Sequence, residues 1–254
     1  MLDKPLVTLI SDFGIKDYYV PALKGNLIST IPEVRIVDIT HEIQSHDIIE
    51  AAFTLKNTYR SFPPKTVHIC YVKNHEPDQK LIFAQVDDQY FIGPDNGIFS
   101  LVFEGDVDYY QLPDNVYMPF KELGVLVQEL SSGKPLLQIG TLCKETKERI
   151  GLAPIVYHDQ IRASVTHIDK YGNLIINITA DLFHQTRKGR RFKLYFKRRD
   201  PITHISQSFA EAIVGEPVCL FNTAGYMVLG IHMGNAAEEL SLKKEEIIQI
   251  IFES

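Results

Sequence analysis

Short apolar runs rich in β-branched residues alternate with helix-like segments in the first half of the chain, a pattern typical of buried parallel strands. The strand-like runs are residues 6–10, 35–39, 66–72 and 81–86. Two segments between them, 17–30 and 46–59, carry apolar side chains at helical spacing and are soon followed by proline. The order β-α-β-α-β predicts an α/β domain with a mainly parallel sheet and helical crossovers.

A turn and another helix follow. The apolar run 90–92 leads into Asp95-Asn96-Gly97, which fits either a hairpin or a tight connection from strand to helix. Residues 122–130 are predicted to form a helix that ends before Ser131-Ser132-Gly133.

The pattern changes after the charged run 144–149, and we predict a domain boundary there, with domains 1–148 and 149–254. Many short strands with turns at modest spacing follow. They are residues 160–168, 174–178, 192–196, 217–222, 226–232 and 246–252. This pattern predicts an antiparallel barrel or sandwich.

The composition of the chain argues against several classes of protein. With 254 residues, 45% of them hydrophobic and 23% charged, the chain can bury a sizeable core and is not mainly disordered. The formal net charge of -6 opposes binding to a nucleic-acid backbone. Three scattered cysteines indicate neither a disulfide framework nor a Cys-rich zinc site, and the N-terminus resembles neither a signal peptide nor a membrane span. We therefore expect a cytoplasmic protein without a membrane or nucleic-acid partner.

Candidate chemistry begins at Asp12, in Ser11-Asp12-Phe13-Gly14 at the end of the first strand. The carboxyl ends of parallel strands border the ligand crevice of such sheets, so this acid is placed to bind a ribose diol. The alternative is that Asp12 caps the helix that begins near residue 17. A second alternative is a metal-dependent hydrolase that uses His41 and His46, although their spacing is not that of a close metal-ligand pair.

Seven short motifs, in order along almost the whole chain, together resemble one family, the S-adenosylmethionine (SAM) hydroxide adenosyltransferases, or SAM hydrolases, with the related fluorinases and chlorinases. The motifs are Ser11-Asp12-Phe13-Gly14, His41-Glu42-Ile43 with Asp47, Gly93-Pro94-Asp95-Asn96-Gly97, Ser132-Gly133-Lys134-Pro135-Leu136, Ile168-Asp169 with Tyr171-Gly172-Asn173, Asn222 to Tyr226, and Gly234 to Ala237. The resemblance implies an N-terminal α/β domain, a C-terminal β-barrel domain and a homotrimer that binds the nucleoside between neighbouring subunits.

The resemblance also implies roles for individual residues. Asp12 would accept hydrogen bonds from the ribose hydroxyls, and His46 would lie beside the sugar. Asn173 and Ala236 would contact adenine, the first through its side-chain amide and the second through its backbone, while Asp169 would face the methionine ammonium. The remaining predicted ligand-binding residues are Asp95, Asn96, Tyr117, Tyr171, Thr223 and Asn235. SAM would be substrate or ligand, and no cofactor or metal is expected.

The positions that handle water in SAM hydrolases differ in this chain. The family has an Asp and, seven residues later, an Arg in one loop, and a His in a later segment. Lys73, Lys80 and Met118 stand at these positions. Thr223-Ala224 stands where halogenases have Ser-Arg. Two main hypotheses follow: a SAM hydrolase with altered water handling, or a nucleoside-binding or sensing protein without catalysis.

Overall fold

A computed structural model describes residues 4–72, 80–112, 120–149, 151, 153–197 and 200–253. The chain divides into two compact units, Met1–Gly151 and Leu152–Ser254. Three residues singled out from the sequence, Lys73, Tyr117 and Met118, lie outside the described residues.

The N-terminal unit contains a mixed sheet. Its strands are β1 (Leu6–Ser11), β2 (Arg35–Thr40), β3 (Val67–Tyr71), β4 (Leu81–Val86), β5 (Gln89–Pro94), β6 (Tyr110–Gln111) and β7 (Thr141–Leu142). Over the described residues their order is β2-β1-β3-β5-β4-β6-β7. The first four of these run parallel. The run 81–86 was expected among the parallel strands, but as β4 it pairs antiparallel, as do β6 and β7. The reversal into β5 occurs at Asp87 and Asp88, whose φ values of 50° and 58° suit a two-residue hairpin turn.

Helices cover both faces of this sheet. They are α1 (Tyr19–Thr30), α2 (Ile48–Thr58), α3 (Ile98–Val102), α4 (Phe120–Ser131) and α5 (Leu136–Ile139). Leu27 of α1 and Leu126 of α4 belong to one apolar core with Leu9 of β1. The next residue of that strand, Ile10, joins a second core with Leu55 of α2 and Phe99 of α3. Successive side chains of a strand point to opposite faces, so the apolar run of β1 anchors helices on both sides.

The C-terminal unit is an antiparallel sheet. Its strands are β8 (Ile155–Val156), β9 (Gln160–Ile168), β10 (Leu174–Thr179), β11 (Phe192–Tyr195), β12 (Pro217–Phe221), β13 (Tyr226–Ile231) and β14 (Ile247–Phe252), and its helices are α6 (Ala180–Arg187) and α7 (Ala236–Glu239). Across the described residues the order is β11-β14-β9-β10-β13-β12, with β8 on β9. The long strand β9 pairs with β14 through 160–164 and with β10 through 165–168, which curls the sheet.

The expected β-barrel is not closed, because β11 and β12 remain the ends of the described sheet. The segment after β11 takes the hydrogen bonds that closure would need. Ile202 exchanges backbone hydrogen bonds with Leu194 of β11, and the Ser206 amide donates to the Cys219 carbonyl of β12. The sheet is therefore a curled half-barrel whose gap is bridged by a connecting segment.

Within the part of the chain that the structure describes, none of the helices combines the length and the apolar character needed to cross a membrane.

Candidate functional site

Asp12 lies directly after β1, with its side chain only 4% exposed. Its Oδ2 accepts a hydrogen bond of 3.0 Å from the His46 amide, and the His46 Nδ1 lies 3.8 Å from the same oxygen. The carboxylate does not cap α1, because the N-cap of that helix is Tyr18, without a side-chain cap hydrogen bond. Asp47 instead caps α2, by accepting from the Glu50 amide at 2.8 Å. The sequence-predicted pair Asp12 and His46 is therefore brought together at the carboxyl edge of the parallel strands.

The two histidines of the metal hypothesis face different partners. His41 is buried, and its Nδ1 lies 2.7 Å from the Ser11 hydroxyl. Its Nε2 lies 3.2 Å from the Asp38 carboxylate but outside hydrogen-bond geometry. His46 is about half exposed and adjoins Asp12. Among the described residues, no group of three or more His, Cys, Asp or Glu side chains is arranged to hold a metal ion.

Asp95 and Asn96 form a tight connection from β5 to α3, at the same carboxyl edge as Asp12. Asn96 is fully buried, and its amide donates to the Val72 carbonyl and accepts from the Ile98 amide, both at 3.1 Å. Asp95 accepts from the backbone of Lys147 at 2.8 Å and so ties the charged run 144–149 to this turn. Asn96 therefore shapes the edge of the sheet with both ends of its amide occupied.

Lys80 is exposed and adjoins this turn, because its carbonyl accepts from the Asp95 amide at 2.9 Å. Neighbouring strands are about 4.8 Å apart, and β5 is two strands from β1, so the Asp95 turn begins about 10 Å from the Asp12 turn. Lys80 thus borders the edge that carries Asp12.

In the C-terminal unit, Asp169 organises the turn from β9 to β10. Its Oδ1 accepts from the amides of Tyr171 and Asn173, and its Oδ2 accepts from the Asn173 side chain, all at 2.9 Å. The Asn173 Nδ2 therefore faces Asp169, while its Oδ1 lies toward Gly230 of β13. Tyr171, at the tip of the turn, is 78% exposed. The turn fixes the orientation of the predicted adenine-reading amide.

The second predicted adenine segment packs on this turn. The Ala237 amide donates to the Gly172 carbonyl at 2.9 Å, and Asn235 caps α7 by accepting from the Glu238 amide. Ala236 is fully buried. The structure thus joins Asn173, Asn235 and Ala236, although about sixty residues separate them in the sequence.

Thr223 is not part of this cluster. It is exposed in the hairpin between β12 and β13, next to Tyr226, which pairs with Thr179 of β10. Asn173, by contrast, precedes Leu174, which pairs with Leu229 near the other end of β13. Thr223 and Asn173 therefore lie near opposite ends of β13.

Phe209 is a neighbour of Asn173 that the sequence reasoning missed. A Cβ at Gly230 would lie 2.5 Å from the Phe209 ring and 2.6 Å from the Asn173 Oδ1. Gly230 therefore lets an aromatic ring and the amide share one side of β13. The sequence signal for this contact was Gly230 itself, because a glycine within an apolar strand often marks a place where another group approaches the backbone closely. An aromatic ring beside a fixed amide suits a flat heterocyclic base.

Family models match both units of the chain. The SAM hydroxide adenosyltransferase N-terminal domain matches residues 7–126, and the corresponding C-terminal domain matches residues 163–249. The chain belongs to the SAM hydroxide adenosyltransferase family. The resemblance drawn from the seven motifs is confirmed.

Similar proteins carry two kinds of name. An (R)-S-adenosyl-L-methionine hydrolase of Methanocaldococcus jannaschii is 27% identical, with 97% of this chain and 96% of that protein covered. A fluorinase of Nocardia brasiliensis is 24% identical, with 97% of each covered. The crystal structure of an uncharacterized conserved protein from Thermotoga maritima has a TM-score of 0.85 at 23% identity, covering 97% of this chain and 99% of that one, which establishes the shared fold.

Proposed function

We propose that this protein binds SAM or adenosine and transfers the adenosyl group of SAM to water, giving adenosine and methionine. The observation that carries the proposal is the fixed orientation of the Asn173 side-chain amide. Asp169 holds one amide N–H, which leaves the Oδ1 acceptor and the second N–H of a side chain of fixed orientation. The N6 amino group and N7 of adenine present the complementary donor and acceptor. The family membership of the chain supports an adenine-containing ligand.

The ribose would be held by Asp12. A carboxylate can accept hydrogen bonds from both hydroxyls of a ribose, and hydrogen bonds to a charged acceptor are among the stronger ones in proteins. The His46 amide already restrains one carboxylate oxygen, so little side-chain freedom is lost on binding. His46 itself, about half exposed, would lie beside the sugar.

The reaction needs little covalent help from the protein. The water oxygen bonds to C5′ of the ribose, the C5′–S bond breaks, the sulfur keeps the electron pair as the thioether of methionine, and the proton of the water passes to solvent. Since a sulfonium is a good leaving group, holding water in line with the C5′–S bond is the main requirement. A general base would typically add about 10²–10⁴-fold.

We propose slow turnover, because the resemblance matches Lys73, Lys80 and Met118 to positions at which SAM hydrolases carry Asp, Arg and His. The same substitutions favour the second candidate function, a nucleoside-binding or sensing protein without catalysis. We further propose that the protein is a cytoplasmic homotrimer whose nucleoside site is shared between neighbouring subunits. Its three cysteines, none in a disulfide, accord with a reducing compartment.

Incubation of the purified chain with SAM, followed by chromatographic analysis of adenosine and methionine, tests the proposal. Equal amounts of both products, formed in proportion to protein, are expected. A variant with Asp12→Ala is the matched control for contaminating activity, because it should lose turnover through lost binding. Tight adenosine binding without product formation would select the sensing function, and the absence of both binding and products would reject the assignment.

A further inference from the structure

The Asp12 carboxylate stands on a turn that is held by the side chain of a buried histidine. The Ser11 hydroxyl lies 2.7 Å from the His41 Nδ1 and accepts a hydrogen bond of 3.4 Å from the Phe13 amide. The same hydroxyl therefore links His41 to the backbone on the far side of Asp12. Both Ser11 and His41 are at most 5% exposed, so this contact is protected from water.

Backbone hydrogen bonds join the same two segments. The Gly14 amide donates to the His41 carbonyl at 2.7 Å, and the Ile43 amide donates to the Ser11 carbonyl at 3.4 Å. The loop that begins at His41 then reaches His46, whose amide donates to Asp12. His41 is thus the point at which the loop after β2 is fixed to the turn after β1.

A carboxylate lies against the outer side of the His41 ring. The Asp38 Oδ1 lies 3.2 Å from the His41 Nε2, and the Asp38 Oδ2 accepts a hydrogen bond of 2.5 Å from Lys24 of α1. Partial burial raises the pKa of Asp38, but the hydrogen bond and charge of Lys24, together with the adjoining His41, outweigh it and lower the pKa below its usual value. The carboxylate therefore stays ionised and holds the ring toward Ser11.

We propose that His41 is a positioning residue for ribose recognition: through the Ser11 hydroxyl it fixes the Ser11–Gly14 turn, and with it the carboxylate of Asp12, for the two ribose hydroxyls. This inference rests on the proposed function. It gives His41 a role in nucleoside binding without contact with the ligand. A carboxylate that must meet two hydroxyls at once tolerates little displacement, so a loosened turn should reduce recognition of the diol while leaving recognition of the base.

The test is calorimetric titration of the full chain with adenosine and with 2′,3′-dideoxyadenosine, which lacks both hydroxyls. The ratio of the two affinities measures recognition of the diol. We expect a ratio of at least about tenfold for the wild type, and a fall to below about threefold for Asp12→Ala and for His41→Ala. Dideoxyadenosine affinity should change little in either variant.

Two conservative variants separate positioning from general support of the fold. His41→Asn places its amide where the Nδ1 lies and can keep the contact with Ser11, whereas His41→Gln reaches the Nε2 position and cannot. The His41→Asn variant should therefore retain most of the preference for adenosine over dideoxyadenosine, and the His41→Gln variant should lose it. His68 supplies a matched control, because its Nδ1 lies 2.7 Å from the Thr8 hydroxyl in the same buried sheet but contacts no residue of the Ser11–Gly14 turn in the described hydrogen bonds. His68→Ala should lower the melting temperature and leave the ratio unchanged.

The outcomes distinguish this inference from the proposed function. A wild-type chain that binds neither nucleoside, or binds both equally, rejects the ribose site and the inference with it. A normal ratio in His41→Ala, together with a lost ratio in Asp12→Ala, overturns the inference and leaves the ribose site intact. If His41→Ala does not fold, Ser11→Ala decides, because it removes only the linking hydroxyl; an unchanged ratio in that variant would equally overturn the proposal.

Discussion

Gly172 has no room for a side chain because the Asn235 side-chain oxygen occupies the space where its Cβ would lie. Its φ of 80° also falls in the left-handed region that favours glycine. The Ala237 amide donates to the carbonyl of the same residue. Gly172 is therefore the contact point between the turn that carries Asn173 and the segment that carries Ala236.

We expect Gly172→Ala to weaken both stability and adenosine binding. The positive φ alone should cost about 1 kcal/mol, and displacement of Asn235 should add roughly 1–3 kcal/mol. Denaturant unfolding and calorimetry measure the two effects. Gly189→Ala is the matched control, because Gly189 has a φ of 78° and a Cβ there would meet none of the described residues within 4 Å. Equal losses in the two variants would show that the Asn235 contact contributes nothing.

Asp169 should determine which base the site accepts. It holds the Asn173 Nδ2, and without it the amide could rotate and present the opposite donor and acceptor pattern. We expect Asp169→Ala to reduce the preference for adenosine over inosine by about tenfold, measured by calorimetry with both nucleosides.

The control for this experiment is Asn222→Ala. Asn222 accepts hydrogen bonds from the amides of Ala224 and Tyr226, so its loss removes similar turn contacts at the opposite end of β13. An Asp169→Ala variant with unchanged base preference would contradict the role of Asp169 in orienting Asn173.

The sequence pattern predicted the strands well because each is a short apolar run bounded by turn residues. Residues 160–168 coincide with β9, and residues 81–86 coincide with β4. The antiparallel direction of β4 was not predicted from its composition, because a buried strand has the same apolar run in either direction. The open edge of the second sheet was likewise beyond the pattern, since it depends on the segment around Ile202 and Ser206, which has no strand-like periodicity.

The candidate site was predictable only through the order of its motifs. Asp169-Lys170-Tyr171-Gly172-Asn173 alone reads as a hairpin turn, and Gly234 to Ala237 alone reads as the start of a helix. Their contact is a long-range packing event that local spacing does not encode. Phe209 was missed for the same reason, and the contact of His41 with Ser11 was not predicted although His41 stood in one of the motifs, because each residue meets a neighbour that is distant in sequence.

His68 should make stability depend on pH. Burial lowers its pKa from 6.5 to about 4, and its ring is packed against Phe91 with the centroids 5.0 Å apart. Between pH 6.5 and about 4 the unfolded chain binds a proton at this histidine that the folded chain does not. The stabilisation that neutral, buried His68 contributes is therefore complete above pH 6.5 and is lost as the pH falls through about 4. The full effect is about 3 kcal/mol.

Denaturant unfolding of the wild type and of His68→Asn from pH 7.5 to 4.5 measures this effect. The asparagine can keep the hydrogen bond to Thr8 without titrating, so the stability difference between the two proteins should shrink as the pH falls. If the stabilities of the two proteins changed equally with pH, His68 would not be the source of the pH dependence.

Oligomeric state tests the shared-site proposal. Three chains of 28.9 kDa should give a particle of about three times that mass in light scattering at micromolar protein. Mixing Asp12→Ala with Asn173→Ala subunits should then restore some binding sites, because a mixed trimer contains one interface with both residues intact. A monomeric mass, or no recovery on mixing, would reject a site shared between subunits.

Lys73, Lys80 and Met118 should together limit the rate of SAM hydrolysis. If they replace a set of residues that handle water, the triple variant Lys73→Asp, Lys80→Arg and Met118→His should hydrolyse SAM faster than the wild type, by about 10²-fold or more. Each single change should have little effect, because residues that act as a unit are strongly non-additive. Adenosine affinity measured alongside the rate serves as the control, since it should not change if only the water-handling step is affected. Lys80 is exposed beside the Asp95 turn, so its replacement should disturb the fold least. Rapid hydrolysis by the unmodified chain, undiminished by Lys73→Ala and Lys80→Ala, would show that positioning of water alone suffices and that these substitutions do not slow the reaction.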